Sequence, residues 1–183
     1  MSNRLTKIYT RQGDSGLTGL ANGERIPKSE DRIEAVGTVD ETNCVLGVVL
    51  SSTGIPSGIR KSLRRIQNEL FDLGAELALS GHTTITAEVV LRLEIELDEL
   101  NASLPPLKEF ILPGGNPAAS ACHLARATCR RAERRAWMIT KKTEMNPELL
   151  KYLNRLSDLL FVIARVLARQ EGTTEVLWNS GRR

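Results

Sequence analysis

The sequence has few of the residues that usually carry redox or metal chemistry. Its 183 residues include three cysteines, two histidines and only 4% aromatic side chains. Cys122 and Cys129 are seven residues apart, which in a helix is about 10 Å along the axis and beyond the reach of a disulfide. There is no CxxC pair, and the only histidines are His82 and His123, so neither a structural zinc site nor a redox pair is supported. We expect Cys44, Cys122 and Cys129 to be small buried thiols in a reducing compartment.

Long apolar runs are also absent. No uninterrupted hydrophobic segment approaches the roughly 18 residues of a membrane-spanning helix, and the N-terminus lacks the apolar core of a secretion signal. We therefore expect a cytoplasmic protein that does not bind a membrane. The net charge of +3 is too small to imply a nucleic-acid coat, so positive charge matters only where it is clustered.

The most informative stretch runs from residue 116 to residue 141 and combines two helix faces. Helical spacing puts small residues on one stripe, namely Ala118, Ala121, Cys122, Ala125, Cys129, Ala132, Ala136 and Ile139. A second arc, which we call the arginine face, holds Arg126, Arg130, Glu133 and Arg134, with Arg131 and Arg135 further round. A charge run is usually a solvated surface. Here the small stripe allows close helix packing that would hold the arginines still, and five neighbouring arginines repel one another unless an anion or carboxylates intervene.

Residues 1–30 show no helical period, and we predict an extended, loop-rich segment. Within it, TRQGDSGLTG at 10–19 alternates glycines with hydroxyl side chains, and Arg11 and Lys28 add positive charge. Such loops can turn backbone N–H groups toward an anion. A disordered basic tail is the alternative interpretation. The segment lacks the Gly-Lys-Ser/Thr of a Walker A loop, so by itself it is a weak indication of phosphate binding.

Five stretches have helical periodicity, and they are joined by short connections. We predict an all-α fold, a ferritin-like antiparallel bundle of four principal helices plus one, within a single domain spanning 1–183. The bundle takes residues 31–172, the N-terminal segment takes 1–30, and a short extended tail takes 173–183. Asn116 and Thr86 are predicted helix N-caps.

Polar residues on two of these helices need partners. In the first helix we predict a core face of Ile33, Val36, Val39, Leu46 and Val49/Leu50, with Asp40, Asn43 and Gly47 on another face. In the last helix Asn154, Asp158 and Arg165 form a polar strip beside the apolar seam. Since polar groups beside a core are normally hydrogen-bonded, we expect this strip of the last helix to face the arginine helix and its ligand. On the first helix, Asp40 and Glu41 either lie on the plain surface or form ion pairs with the arginine face.

The connector FILPGG at 110–115 places apolar side chains beside Pro113, Gly114 and Gly115. A hydrophobic loop commonly covers the core. It can instead line a pocket for a flat apolar ligand, with the glycines permitting close approach. Both interpretations remain open from the residues alone.

Six collinear stretches together resemble the PduO-type ATP:cob(I)alamin adenosyltransferases. They are TRQGDSGLTG at 10–19, the region of Lys28, AVGTVDETN at 35–43, FILPGG at 110–115, CRRAERR at 129–135 and YLNRLSDLLFVIAR at 152–165. The resemblance spans nearly the whole chain in the same order. It implies a cobalamin adenosyltransferase-like homotrimer with active sites between subunits, which joins the 5′-deoxyadenosyl group of ATP to the cobalt of cob(I)alamin and releases triphosphate.

The resemblance also implies residue roles. ATP would be bound by Thr10, Arg11, Gln12, Gly13, Thr18, Gly19 and Lys28 from the N-terminal segment and by Arg130, Arg131, Glu133, Arg134 and Asn154 from the helices. Asp40 would pair with Arg126 across the subunit boundary. Phe110, with Ile111, would press on the lower face of the corrin and keep its axial base away, which favours four-coordinate cobalt. The implied catalytic set is therefore Arg130, Asp40, Arg126 and Phe110, with Mg²⁺ carried by the ATP phosphates rather than by a protein metal site.

The chemistry of this reaction suits the composition. Cob(I)alamin is a strong nucleophile, so attack on C5′ needs no general base, and the lack of a His or Cys catalytic centre is expected. A corrinoid reductase and an adenosylcobalamin-dependent enzyme are candidate partners. Two alternatives are a helical phosphate- or nucleic-acid-binding or regulatory module that uses the arginine helix, and an adenosylcobalamin carrier with little catalysis.

Overall fold

The computed structural model describes residues 8–79, 81–179 and 181. It contains five helices, α1 (Asp31–Ser51), α2 (Ser57–Ala78), α3 (Ala87–Ala102), α4 (Pro117–Ile139) and α5 (Pro147–Ala168), followed by a short 3-10 turn at Gln170–Gly172. The predicted helical bundle is confirmed. No helix in these described ranges is both long and apolar enough to cross a bilayer.

The N-terminal segment contains a hairpin that the sequence analysis missed. Strands β1 (Leu17–Gly19) and β2 (Arg25–Pro27) pair antiparallel, with Thr18 opposite Ile26. The turn between them includes Gly23 at φ 88°, a conformation that glycine adopts without strain. None of residues 8–28 is buried. Residues 1–7 of the predicted segment, and residues 180, 182 and 183 of the predicted tail, lie outside the described residues.

Asparagine caps define where α4 and α5 begin. The Asn116 side chain accepts a hydrogen bond from the backbone N–H of Ala119 at 2.9 Å, as predicted, and Asn146 accepts one from Glu148 N–H at 3.0 Å. Each cap is followed by proline at the first helical position, which has no N–H to leave unpaired. Thr86 occupies the N-cap position of α3 but makes no capping bond to the backbone.

Helix α4 packs between α1 and α5. Its predicted stripe is buried except for the half-exposed Ala121. The side chains of this stripe are small enough for α4 to contact the backbone of α5. The thiols of Cys122 and Cys129 donate to the carbonyl oxygens of Leu160 and Leu153 at 3.3 and 3.2 Å. Burial raises the pKa of Cys122 to about 12 and that of Cys129 further. The prediction for Cys44 is wrong, because this residue lies on the exposed side of α1.

The buried face of α1 is rotated from the predicted one. It includes Thr38, Thr42 and Asn43, whereas Ile33 and Val36 are only half-buried. The threonine hydroxyls are satisfied by carbonyl oxygens four residues earlier, at 2.7 and 2.9 Å. Asn43 Nδ2 donates to the carbonyl oxygen of Gln67 on α2. Polar side chains can therefore face the core here, which a count of apolar positions does not reveal.

A buried polar cluster joins α2, α3 and α5. The hydroxyl of Tyr152 donates to Glu69 Oε2 at 2.8 Å, and Arg65 and Arg92 donate to Glu69 Oε1 at 2.7 and 3.1 Å. Burial, with the adjacent Glu69 charge, raises the pKa of Tyr152 well above its ordinary value. The tyrosine therefore stays a neutral hydrogen-bond donor. The Glu69 carboxylate that it contacts is paired with Arg65 of α2 and Arg92 of α3.

The close packing of α4 predicts that a larger side chain on its stripe destabilises the fold. Ala132→Leu should lower the free energy of unfolding by about 1–3 kcal/mol, because the fully buried Ala132 leaves no room for three more carbons. Denaturant unfolding followed by circular dichroism measures the change. The matched control is Ala102→Leu at the exposed end of α3, which should shift stability by no more than about 0.5 kcal/mol. Equal effects of both substitutions would contradict the packing described.

Candidate active site

The arginine face of α4 carries guanidinium groups that have no partner among the described residues. Arg130 is exposed, and its side chain has no hydrogen bond or ion pair with any described residue. Arg134 is exposed as well but donates to the backbone carbonyl of Arg130 at 3.0 Å. An unpaired guanidinium beside others is a ready site for a phosphate or another anion.

The two arginines further round the helix are paired inside the chain. Arg131 forms an ion pair with Glu41, and Arg135 Nε lies 3.3 Å from Glu34 Oε1. Glu34 and Glu41 are two turns apart on α1, so they meet the two arginines one after the other as the helices run antiparallel. The implied role of Arg131 in ATP binding stays a prediction, since this structure shows its guanidinium engaged with α1.

Asn154 lies at the contact between α4 and α5, as predicted. Its Nδ2 donates to Glu133 Oε1 at 3.2 Å, and its Oδ1 accepts from Arg155 Nη1 at 2.7 Å. Arg155 is in turn bound to Glu94 of α3 at 2.7 Å. This chain of contacts fixes both Asn154 and Glu133 beside Arg130, so three polar side chains are presented on one surface.

Two open pockets adjoin each other beside Arg126. The first has a volume of about 530 Å³ and is mainly apolar, with Phe110, Ile111, His123 and Phe161 in its wall. The second, of about 390 Å³, is lined by the charged residues Arg130, Asp158 and Arg165. Arg126, Phe161 and Leu107 line both pockets. An apolar cavity therefore lies against a charged one, with a guanidinium in the shared wall.

The shared wall contains polar atoms without partners. Arg126 Nε and His123 Nδ1 are buried and make no hydrogen bond to any described part of the chain. Burial, together with the nearby charge of Arg126, lowers the pKa of His123 below its ordinary value. His123 is therefore neutral near pH 7. Buried polar groups normally have a hydrogen-bond partner, so these two atoms are available to a water molecule, a ligand or another subunit.

The apolar loop at 110–112 is held by the C-terminal tail. Leu112 N–H donates to the carbonyl oxygen of Val176 at 2.8 Å, and Trp178 N–H donates to that of Phe110 at 2.7 Å. The Phe110 ring is 77% exposed, and the Trp178 ring contacts it edge-on at 6.2 Å between centroids. The loop is thus not a lid on the core. It presents an aromatic ring at the mouth of the apolar pocket.

Gly115 lets this loop turn into α4. Its φ is 105°, and a Cβ at this position would lie 3.1 Å from Cβ of Ala168 at the end of α5. Glycine is required for both reasons. The loop therefore enters α4 in close contact with α5, which anchors the C-terminal end of the loop beside the arginine helix.

The predicted nucleotide ligands of the N-terminal segment lie together on the hairpin and the turn before it. They are Thr10, Arg11, Gln12, Gly13, Thr18, Gly19 and Lys28. Lys28 N–H donates to the carbonyl oxygen of Gly16 at 2.9 Å, and its ammonium group lies beside Gly13, 3.0 Å from where a Cβ would be. No hydrogen bond or ion pair joins described residues 10–28 to α4 or α5. Within the described residues the two predicted halves of the nucleotide site are therefore not joined by any hydrogen bond or ion pair.

Some sequence predictions for the site fail and some residues were missed. Asp40 is exposed and has no ion pair with the described residues, so its implied pairing with Arg126 of another subunit stays a prediction. Arg165 lines the charged pocket together with Arg130, but its ion-pair partner is Glu175 of the tail at 3.0 Å and not a residue of the arginine helix. His123 and Phe161 were not predicted. Each lies one helical turn from a residue that was predicted: His123 is three residues before Arg126, and Phe161 is three residues after Asp158. That helical spacing is the signal that could have identified them.

Comparison with known proteins shows a consistent match. The cobalamin adenosyltransferase family matches residues 8–167. A cobalamin adenosyltransferase of Cupriavidus metallidurans is 48% identical over 182 residues, covering 100% of this chain and 99% of the relative. A corrinoid adenosyltransferase of Mycobacterium tuberculosis is 43% identical over 190 residues, covering 99% and 97%. Among solved structures, a variant PduO-type ATP:corrinoid adenosyltransferase from Lactobacillus reuteri, complexed with cobalamin and ATP, superposes with a TM-score of 0.91 at 33% identity, covering 95% and 97%.

The environment of His123 predicts a pH dependence of stability. Its pKa in the folded protein is lowered, so as the pH falls the unfolded chain, with a histidine pKa of about 6.5, takes up the proton first. The free energy of unfolding should therefore decrease below pH 6.5 until the folded-state pKa is passed. Histidine NMR titration measures the midpoint, and His123→Gln assigns the resonance. A midpoint at or above the unfolded value would contradict this account.

Proposed function

The chain belongs to the cobalamin adenosyltransferase family and is an ATP-dependent corrinoid adenosyltransferase, and we propose that the pockets on either side of Arg126 are its two substrate sites. The enzyme transfers the 5′-deoxyadenosyl group of ATP to the cobalt of cob(I)alamin and releases triphosphate. A cobalt–carbon bond forms at C5′ while the bond from C5′ to the triphosphate oxygen breaks. No proton has to move, so the protein's tasks are orientation and charge stabilisation.

The observation that carries this assignment is the adjacency of the two pockets. The corrin ring would occupy the apolar cavity with Phe110 and Ile111 against it, and the polyphosphate would lie along Arg130, Arg134 and the Asn154–Glu133 pair. With the apolar and charged cavities in contact, cobalt and C5′ can approach each other across the shared wall. Arg130, whose charge has no partner among the described residues, would stabilise the negative charge that grows on the leaving triphosphate.

Magnesium would arrive with the nucleotide. Within the described residues no group of three or more His, Cys, Asp or Glu side chains is placed to hold a metal ion. The donors at the charged pocket are mainly guanidinium groups, which repel a cation and attract phosphate oxygens. The phosphate oxygens of ATP would therefore be the ligands of Mg²⁺, and the ion would neutralise charge on the triphosphate.

We propose a homotrimer in which each active site is shared by two subunits. Arg126 Nε is buried and unpaired in the described chain, while Asp40 is exposed on the outer side of α1. The apolar side chains of Val48 on α1 and Leu124 on α4 are 57% and 55% exposed. An Asp40–Arg126 pair between subunits would satisfy the arginine and cover these side chains. The exposed hairpin would then bring its ligands to a neighbouring arginine face.

A cytoplasmic location is consistent with the thiols. All three cysteines are free, which suits a reducing compartment. A corrinoid reductase upstream and an adenosylcobalamin-dependent enzyme downstream remain predicted partners. The nucleic-acid-binding or regulatory module and the adenosylcobalamin carrier are disfavoured, since the chain aligns with nearly the whole length of relatives that are named adenosyltransferases.

Arg130→Ala tests the assignment of the arginine face. Removing a charge that acts on the leaving group should lower kcat/KM by roughly 10²-fold or more. The assay mixes protein, Mg-ATP and chemically reduced cobalamin without oxygen and follows the light-sensitive alkyl-cobalt product. Arg135→Ala is the matched control on the same helix, because Arg135 is paired with Glu34 away from the pockets. Near-wild-type turnover in Arg130→Ala would overturn the role of this face, and absence of product with the wild-type protein would return the carrier to consideration.

Sharing of the site predicts complementation between inactive subunits. Asp40→Ala and Arg126→Ala should each lose most activity alone. When the two variants are coexpressed, about one interface in four joins an intact Asp40 to an intact Arg126 by random assortment. Activity per chain should then exceed that of either variant, and sedimentation should give three chains per particle. A mixture no more active than the better single variant would place the site within one chain.

A further inference from the structure

The C-terminal segment 173–178, which we call the strap, is held in place by charge rather than by apolar burial. Its apolar side chains Val176, Leu177 and Trp178 are 62%, 53% and 47% exposed. By contrast, the Glu175 side chain is only 7% exposed and faces Arg165, which is 3% exposed, at 3.0 Å. Side chains that remain half in water gain only part of their burial energy, so the Glu175 carboxylate is the most deeply buried attachment of the strap to the bundle.

Glu175 connects the strap to two parts of the bundle. Its second carboxylate oxygen accepts a hydrogen bond from Arg169, which lies just beyond α5, and Arg165 also donates to the carbonyl oxygen of Pro105 after α3 at 2.7 Å. Burial alone raises the pKa of the Glu175 carboxyl, but hydrogen bonds from its own N–H, Arg169 and Arg165 outweigh burial and lower it. The carboxylate is therefore ionised in the folded protein near neutral pH.

The strap in turn holds the loop that carries Phe110. Two backbone hydrogen bonds join it to Phe110 and Leu112, and the Trp178 ring contacts Phe110 edge-on. Phe110 itself is mostly exposed, so the bundle core does not fix its ring. The position of the ring depends on the strap, and the position of the strap depends on Glu175.

We propose that Glu175 is a positioning residue for the corrinoid: by anchoring the strap to Arg165 and Arg169, it holds Phe110 where the ring excludes the lower axial base. This inference rests on the proposed function, because it assumes that Phe110 faces the corrin. Glu175 does not touch the substrate. It acts through the strap and the loop. Replacing Glu175 should therefore change activity in the same way as replacing Phe110, but to a smaller extent.

The test compares cobalamin with cobinamide, a corrinoid that has no lower axial base to displace. Glu175→Gln should lower kcat/KM for cobalamin roughly 10- to 100-fold, the loss typical of a small misplacement, with a smaller loss for cobinamide and an unchanged KM for ATP. The four-coordinate fraction of bound cob(II)alamin, measured by EPR with ATP present, should fall in parallel. Glu175→Asp should recover part of the kcat/KM for cobalamin and part of the four-coordinate fraction. Glu99→Gln, an exposed acid on α3, is the matched control and should change neither.

A second variant covers the case in which Glu175→Gln unfolds because Arg165 is left buried and unpaired. Trp178→Ala keeps that ion pair and removes only the ring contact with Phe110, and it should show the same preferential loss with cobalamin. Equal losses with cobalamin and cobinamide in both variants would overturn the proposal, since that pattern indicates general destabilisation.

Phe110→Ala separates failure of this inference from failure of the proposed function. If Phe110→Ala loses cobalamin turnover and four-coordinate cobalt while Glu175→Gln and Trp178→Ala lose neither, the strap has no positioning role and the pocket assignment stands. If Phe110→Ala itself changes neither, the pocket assignment fails and the inference fails with it. With both correct, adding Glu175→Gln to Phe110→Ala should cause little further loss with cobalamin.

Discussion

The close approach of α4 to α5 is the constraint on which the candidate site depends. Alanine and cysteine side chains on one stripe of α4 let thiol groups reach backbone carbonyls of α5. At that separation Asn154 on α5 contacts Glu133 on α4, and Gly115 fits against Ala168 at the end of α5. A wider spacing would separate all of these groups. The geometry of the charged and apolar pockets is thus set by the size of side chains that take no part in the chemistry.

The charges of the arginine helix are divided according to the face on which they lie. The side toward α1 meets Glu34 and Glu41 and is neutralised within the chain. The side toward the pockets keeps Arg130 without a carboxylate partner among the described residues, and it leaves Arg126 Nε buried and unpaired. Ion pairs at the surface contribute little stability, so the pairs with α1 serve chiefly to orient Arg131 and Arg135. The unpaired positive charge is concentrated at the boundary of the two pockets.

The sequence predicted the helices, the small stripe and the Asn116 cap because each depends on local spacing and local hydrogen bonding. It misplaced the buried face of α1, since threonine hydroxyls that bond to their own helix can be buried although they count as polar. It missed the hairpin, because strands of three residues are too short for an alternating pattern to be recognised. The partner of Arg165 was also missed, because Glu175 pairs with it only after the chain turns back beyond α5, and no periodicity reports such a contact.

The placement of Cys122 and Cys129 has a chemical consequence for an enzyme of this kind. The reaction exposes an electrophilic carbon at C5′ and a cobalt centre, and a thiolate is both a nucleophile for the first and a ligand for the second. Burial raises the pKa of Cys122 to about 12 and that of Cys129 further, and each thiol is committed to a backbone carbonyl. These sulfur atoms therefore supply the small volume that helix packing requires while being unable to become alkylated or to coordinate cobalt.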